Sequence, residues 1–324
     1  MRASILTLML LATHASAEPD KSGPGRFPES GSEEAWAKLP RENPQLPPWA
    51  KMLVGPLPRT TARMLELDYF HREQNPLGSA LSSQLRWTAA DALGSAYGKA
   101  TAVADLRSGG AKEAALSKLA VKDIANADVK LAAAFARKLT LEGHAITDEE
   151  FAEVLKAYGP EKTTAIVHTV AYANFHNRIA LGIGATGDPV PPIDAKFAPE
   201  TLAKVPTPTR PPWDDLKSVK SDGLSVRVDW GQANAEALNG SLDQQKARKL
   251  RIPLPDRERI DALPPKERES ARRILWNTVS AGYQPEFTRV WFAALSGFYD
   301  EAKVDRVFTN SVFWVVTRTN DCFY

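Results

Sequence analysis

The sequence has very little cysteine: Cys322 is the single cysteine among 324 residues. One cysteine excludes an intramolecular disulfide, so the fold must be held together by side-chain packing. An unpaired thiol can still form a mixed or an intermolecular disulfide.

An excess of charge of one sign is also missing. The chain has 41 basic and 39 acidic residues, well interspersed, and a net charge of +2. Such a balance produces no electrostatic field that would attract nucleic acid, so we expect no nucleic-acid partner.

Long apolar runs are absent as well. Arg2, an apolar stretch at 5–12 and small residues at 15–17 form the three parts of a secretory signal, with cleavage before Glu18. No later stretch approaches the roughly 20 apolar residues that span a bilayer. We therefore expect residues 1–17 to be a signal peptide and the protein to be periplasmic or secreted, without stable membrane insertion. An uncleaved anchor is the alternative.

The distribution of proline and glycine divides the chain after residue 17 into segments. Residues 18–58 are rich in proline, glycine and charge, which predicts an extended arm that Trp36 and Trp49 pin to the domain surface. Residues 59–187 have helical patterning and no convincing alternation of apolar and polar residues, which predicts an all-α bundle.

Five helices are expected within this bundle. They cover 60–74 and 81–106, a third that Asn126 caps and Gly143 closes, a fourth that begins at a Thr147/Glu150 capping box, and a fifth that begins at Pro160 and ends within 182–187. Apolar residues recur along one face of the third and fourth, as in Leu131, Phe135 and Leu139.

Residues 188–284 are predicted to form a proline-rich connector. Its first part holds too many prolines for a long helix. A strand-like alternation at 224–228 and short helices at 232–238 and 266–280 are expected, with partial order against the bundle because long structureless loops are uncommon.

The tail, 285–324, restarts the earlier pattern. Shifting the sequence onto itself places 85–88 over 312–315 and 93–97 over 320–324, so that Trp87 matches Trp314 and Tyr97 matches Tyr324. We interpret the tail as an incomplete second repeat. Because its apolar face would lack partners, we expect a truncated gene product or an incomplete sequence.

The stretch 81–187 resembles a domain of the carboxymuconolactone decarboxylase/AhpD-like family. The likeness covers about a third of the chain and is most specific at 172–178, YANFHNR, which is similar to that family's last-helix signature. The resemblance implies thiol-dependent peroxide reduction by a Cys-x-x-Cys pair at a helix start, with a following His and an upstream Glu. It also implies a thiol reductant and homo-oligomers.

The family's reactive groups are missing from the first repeat. The resemblance places Ser95 and Gly98 at the two cysteine positions, Ala102 or Thr101 at the histidine and Ser83 at the glutamate. In the second repeat Cys322 occupies the first cysteine position and Asn310 that of the glutamate. Cys322 is thus the one candidate catalytic residue, and enzyme activity, weakened or abolished, is left open against a non-catalytic helical module for oligomerisation or binding. A third possibility is a covalent haem motif beginning at Cys322.

Other chemistry-bearing residues are interpreted as structural. His168 and His176 lie two turns apart and are assigned to a core or interface, since no carboxylate at metal-ligand spacing accompanies them. His71 and His144 are expected at the surface. The stripe of Phe287, Trp291 and Phe298 is expected in the core, and no metal or cofactor is predicted.

Overall fold

A computed structural model describes residues 29–39, 45–194, 196–205, 250–273 and 275–319, and all statements on structure concern these ranges. They contain helices and turns but no strand, which confirms the predicted all-α fold. The helices are α1 Ser32–Ala37, α2 Pro48–Leu53, α3 Pro58–Glu73, α4 Ser79–Leu93, α5 Ala96–Ser108, α6 Glu113–Leu116, α7 Ala127–Glu142, α8 Asp148–Ile183, α9 Pro199–Leu202, α10 Arg257–Asp261, α11 Pro265–Arg273, α12 Leu275–Tyr283, α13 Pro285–Ala302 and α14 Arg306–Thr319.

Two predicted helix starts are confirmed by their hydrogen bonds. The Asn126 side chain accepts from the amide of Val129 at 3.0 Å, which caps α7. Thr147 and Glu150 form the reciprocal capping box of α8, at 3.2 Å and 2.8 Å. Both satisfy amides that a helix start leaves without intrahelical partners.

A single helix over 81–106 was the wrong prediction. Gly94 adopts a left-handed conformation (φ 71°) that ends α4, and the Ser95 side chain then accepts from the amide of Gly98 at 3.1 Å to begin α5. The left-handed conformation favours glycine because glycine carries no Cβ that would clash with the backbone. Two helices therefore meet at this point.

Helix α8 is interrupted where the sequence predicts a new helix. Gly159 has φ 69° and ψ 170°, outside helical values, and Pro160 follows in the first turn of the second half. Proline is favoured there because it has no amide hydrogen to donate.

The main bundle is built around α4, which packs against α5, α7 and α8. Its core holds Leu85, Phe135, Val154, Ile166 and Val170, with Leu131, Leu139, Phe151 and Tyr158 packed at the edge. The predicted apolar stripes of α7 and α8 thus pack against each other and against α4.

The N-terminal segment and the connector share a second core. Where the sequence predicts an extended arm, the described part contains α1 and α2, and Trp36 and Trp49 are both buried. Phe197 and Val205 of the connector join the same cluster. The connector is therefore partly ordered against the bundle, as expected; the predicted strand at 224–228 and helix at 232–238 lie outside the described residues.

The last three helices begin at the spacing of the matched tryptophans. Helices α12, α13 and α14 each begin 227 residues after α2, α3 and α4. The residues before α3 and α13 have the same backbone conformation, φ −139° and ψ 64° at Leu57 and φ −137° and ψ 64° at Gln284. This agreement of helix phase supports the interpretation of the tail as a repeat.

Helix α13 packs directly on α3. The carboxylate of Glu301 accepts hydrogen bonds from the amides of Arg59 and Thr60, at 2.9 Å and 2.8 Å, and from the Thr60 hydroxyl at 2.8 Å. A buried glutamate thus caps the start of a helix more than two hundred residues earlier. Within the described ranges, no helix is both long enough and apolar enough to cross a bilayer.

Candidate functional site

The two residues that the sequence analysis assigned to cysteine positions lie at the junction of α4 and α5. Gly98 lies in the first turn of α5, Ser95 caps the start of that helix, and both residues are buried. Ser83 is buried on α4, where its hydroxyl accepts from the Arg86 guanidinium at 2.8 Å. Cys322, the predicted catalytic residue, lies outside the described residues.

Gly98 has no space for a side chain. A Cβ added there would lie 1.8 Å from Oδ1 and 2.8 Å from Cγ of Asn177, and 3.0 Å from Cβ of Ala90. Asn177 belongs to the 172–178 stretch that carries the family resemblance. This stretch of α8 therefore packs against the first turn of α5 at a glycine.

An alternating chain of buried charges crosses the bundle next to this junction. Arg72 binds Asp68 at 3.1 Å and holds both oxygens of Asp105, at 2.8 Å and 2.7 Å, and Arg86 binds Asp105 at 2.7 Å. The four side chains are between 3% and 9% exposed, so two negative and two positive charges compensate each other away from water. The pKa of Arg72 is raised, since its two carboxylate partners outweigh the effect of burial.

Tyr172 of α8 extends this chain. Its hydroxyl donates to Asp68 at 2.6 Å. Burial and the negative charge of Asp68 raise the pKa of Tyr172 well above its usual value. Burial alone would raise the pKa of Asp68, but Arg72, His176 and the hydrogen bonds from Tyr172 and Arg72 lower it overall. Asp68 is therefore ionised and Tyr172 protonated at neutral pH.

Two imidazoles flank Tyr172. The ring of His71 stacks on Tyr172 with centroids 3.8 Å apart and an interplanar angle of 8°. His176 contacts Trp49 at 5.4 Å, Tyr172 at 5.6 Å and Tyr97 at 6.3 Å. Burial lowers the pKa of His176 to about 4, so this imidazole is neutral at physiological pH.

The placement of the histidines corrects one prediction and confirms others. His71 was expected at the surface but is 1% exposed, because Tyr172 and Phe287 cover the face of α3 that carries it. His144 is exposed, as predicted, and His176 lies in the core. His168 is half-buried, and its Nε2 lies 2.7 Å from the Ser280 hydroxyl.

The predicted aromatic stripe is part of the core. Phe287 and Phe298 are buried, and Trp291 packs at the edge of a cluster that contains Leu67 and Tyr172. The stripe thus joins the tail to the centre of the bundle.

Sequence reasoning missed the charged cluster because its members come from three helices. Asp68 and Arg72 on α3, Arg86 on α4 and Asp105 on α5 show no joint motif in the sequence. The available signal is the i, i+4 pair Asp68/Arg72 within a helix of apolar neighbours. Such a pair is usually a solvated surface pair, and only the packing of α4, α5 and α8 makes it internal.

Several buried polar atoms at this centre find no hydrogen-bond partner among the described residues. They are Nδ1 of His71, Nε of Arg86, Nε2 of His176 and Oδ1 of Asn177. In the same ranges, no three side chains of the His, Cys, Asp or Glu type come together to hold a metal ion.

Comparisons with known proteins add no relative. No protein-family model, no curated protein and no solved structure matches this chain.

The arrangement is a closed, charge-compensated polar centre that contains no thiol. Its hydrogen bonds tie α3, α4, α5 and α8 together. Within it, the phenolic proton of Tyr172 is donated directly to the carboxylate of Asp68.

Proposed function

We propose that this chain is an exported protein of the carboxymuconolactone decarboxylase/AhpD-like type, with weak thiol-dependent hydroperoxide reduction at Cys322. The observation that supports the proposal most is the shared spacing of the two sets of helices. The shift of 227 residues that relates α2, α3 and α4 to α12, α13 and α14 also relates Ser95 to Cys322.

Ser95 shows the chemical environment of that position in the first repeat. It caps α5, and its side chain accepts an amide hydrogen of the first turn. A cysteine at a helix start is stabilised as the thiolate by the same amides and by the helix dipole. Cys322 at the equivalent position would be a nucleophile.

The chemistry of a single thiol needs an external reductant. The thiolate sulfur attacks one peroxide oxygen, the O–O bond breaks, and the alcohol or water leaves after it takes up a proton, with the sulfur oxidised to a sulfenic acid. Because the chain has no second cysteine, a low-molecular-weight thiol condenses with the sulfenic acid to a mixed disulfide and water. A second such thiol then releases Cys322 and forms the small-molecule disulfide. This external step makes the reaction slower than that of a dithiol enzyme.

In this proposal the first repeat has a structural role and does not take part in the thiol chemistry. Serine cannot carry out sulfur redox chemistry, and Asn177 occupies the space of a side chain at Gly98. Export is supported by the N-terminal pattern of Arg2 and the apolar stretch 5–12.

A peroxide-consumption assay with a small thiol as reductant tests the proposal. Wild type, Cys322→Ser and the matched control Ser95→Ala are compared with a protein-free blank. We expect a thiol-dependent rate above the blank in wild type and in Ser95→Ala, and its loss in Cys322→Ser. Equal rates in all three variants would contradict catalysis at Cys322.

A second candidate function, self-association without catalysis, has its own observation. On α14 the consecutive residues Val307 and Phe308 are 73% and 53% exposed. The helix carries no acidic residue. Exposed apolar groups of this size favour protein contacts. Analytical ultracentrifugation of wild type and Phe308→Ser, with Leu181→Ser as a control at an isolated exposed leucine, tests it: only Phe308→Ser should lower the mass.

A further inference from the structure

A continuous series of ring contacts runs through the core and has Tyr172 at its centre. Tyr172 stacks on His71 at 3.8 Å, and His71 contacts Phe287 at 4.5 Å. On the other side Tyr172 meets His176 at 5.6 Å, and His176 meets Trp49 at 5.4 Å. Distances of this kind are ordinary aromatic contacts; what distinguishes the series is the oxidisable phenol at its centre.

The series is connected to the outer part of the molecule. Trp291 is half-buried and packs with Phe175 at the edge of the cluster that contains Tyr172. The rings of Phe175 and Trp291 are 5.3 Å apart. A partly accessible indole therefore lies one packing layer away from the buried phenol.

Tyr172 also has a built-in proton acceptor. Oxidation of a phenol makes its hydroxyl strongly acidic, so the loss of an electron is easy only where the proton can leave at once. The hydroxyl of Tyr172 donates to Oδ1 of Asp68 at 2.6 Å, within the reach required for direct proton transfer. Arg72, paired to the second oxygen of Asp68 at 3.1 Å, keeps that carboxylate ionised and fixed in position.

We propose that Tyr172 is a redox-active tyrosine that reduces one-electron oxidants, with Asp68 as the acceptor of its phenolic proton. The chemical class of substrate is an organic peroxyl radical that reaches the half-buried Trp291. The radical gains one electron from Tyr172 by way of Trp291 and the cluster that packs it with Tyr172, gains one proton from solvent, and becomes a hydroperoxide. Tyr172 loses that electron, its O–H bond breaks, and the proton forms a new bond to Oδ1 of Asp68.

Burial then protects the product. The tyrosyl radical is neutral, Asp68 becomes an uncharged carboxyl group, and Tyr172 is only 3% exposed, so that solvent and other radicals have little access to its ring. A small one-electron reductant of the phenol or enediol class donates one electron to the tyrosyl radical, and the proton returns from Oδ1 of Asp68 to the phenolic oxygen, which restores the starting state. This activity is independent of Cys322 and of the proposed peroxide reduction.

Pulse radiolysis of the full chain tests the inference. Azide radicals, which oxidise tryptophan and tyrosine, are generated under anaerobic conditions, and the products are followed by absorption and by electron paramagnetic resonance after rapid freezing. The Cys322→Ser background removes the thiol, so failure of the peroxide proposal does not affect the result. We expect tryptophanyl absorption to decay into a long-lived tyrosyl signal.

Three variants assign that signal. Tyr172→Phe should lose it, whereas Tyr158→Phe should retain it, because the Tyr158 hydroxyl donates to the backbone carbonyl of Asp128 rather than to a carboxylate. Asp68→Asn should form the radical more slowly and alter the solvent deuterium effect on its formation. A long-lived signal that survives in Tyr172→Phe, or wild type without one, would overturn the proposal.

A conservative probe covers the case in which Tyr172→Phe does not fold. Fluorotyrosine placed at 172 keeps the hydroxyl, and fluorine coupling should then broaden the resonance spectrum. An unchanged spectrum would place the radical on another tyrosine and would equally overturn the proposal.

Discussion

The guanidinium of Arg72 on α3 donates two parallel hydrogen bonds to the carboxylate of Asp105 on α5, at 2.8 Å and 2.7 Å, in the interior of the bundle. Both side chains are less than 10% exposed. Such a two-point pair fixes the relative orientation of its helices more strictly than apolar contact does. The second cation on Asp105, Arg86, extends the constraint to α4.

Removal of the shared carboxylate should destabilise the protein strongly. Asp105→Asn leaves Arg72 and Arg86 with less charge compensation in the interior, and breaking a buried pair in this way costs about 3–5 kcal/mol. Urea denaturation followed by circular dichroism measures the free energy of unfolding. The control is Glu113→Gln, which removes the exposed partner of Arg107 and should leave the midpoint unchanged. Similar midpoints for both variants would contradict a structural role of the buried network.

Acidification should destabilise the fold through His176. Its pKa is about 4 in the folded protein against 6.5 for the free side chain. Below pH 6.5 the imidazole of His176 binds a proton in the unfolded chain but not in the folded protein. The contribution of His176 to the free energy of unfolding is therefore fully present above pH 6.5 and falls as the pH drops toward 4. The loss amounts to about 3 kcal/mol for this one residue. Equilibrium unfolding at a series of pH values between 7.5 and 4 measures it.

Two comparisons isolate that histidine. His176→Gln should show a flatter dependence on pH across this window, while His144→Gln, at an exposed position, should keep the wild-type slope. Glu301, whose pKa is raised by burial, contributes with opposite sign and is common to all variants. Asp68 has a lowered pKa, so its contribution is lost only below pH 3.8. Identical slopes in the two histidine variants would refute the assignment.

The break between α4 and α5 should depend on a left-handed glycine. Gly94→Ala places a Cβ at φ 71°, which costs about 1–2 kcal/mol. Gly182 provides a matched control inside α8, with open space around a built Cβ, and Gly182→Ala should stabilise by about 0.5–1 kcal/mol. Thermal melting measures both variants: the melting temperature should fall in Gly94→Ala and rise in Gly182→Ala. A Gly94→Ala variant as stable as wild type would mean that the break does not need this conformation.

Introduction of two cysteines at positions 95 and 98 should lower the stability of the protein for steric reasons. Ser95→Cys is compatible with the cap position, but Gly98→Cys brings a side chain onto Asn177. Overpacking of this kind costs about 1–3 kcal/mol. We expect the double cysteine variant to be less stable than Ser95→Cys alone, with part of the loss recovered by Asn177→Ala. Chemical denaturation under reducing conditions measures the three; absence of any recovery would exclude Asn177 as the obstacle.

Much of the secondary structure follows from local signals. Asn126, Thr147 and Pro160 begin their helices through interactions with atoms a few residues away, so the sequence contains all that is needed to place them. The Gly94 break was missed because an Ala-rich stretch favours one continuous helix, and one glycine inside it is also compatible with that helix.

Catalytic candidates were less accessible to sequence reasoning. The resemblance assigns chemistry to Cys322, which lies outside the described residues, and it stays a prediction. Asn177 was part of a recognised stretch, yet its contact with Gly98 joins residues 79 apart in sequence. No local pattern encodes that contact, because it depends on how α8 lies against α5.

The sequence by itself determined an all-α chain, the amphipathic stripes that face α4, the starts of α7 and α8 and the 227-residue spacing of the matched aromatics. Tertiary structure alone decided that Asp68, Arg72, Arg86 and Asp105 are internal, that His71 is covered and that Tyr172 donates to a carboxylate. The physical reason is range: helix caps and apolar periodicity act within one or two turns, whereas burial of a charge depends on which distant helices exclude water from it.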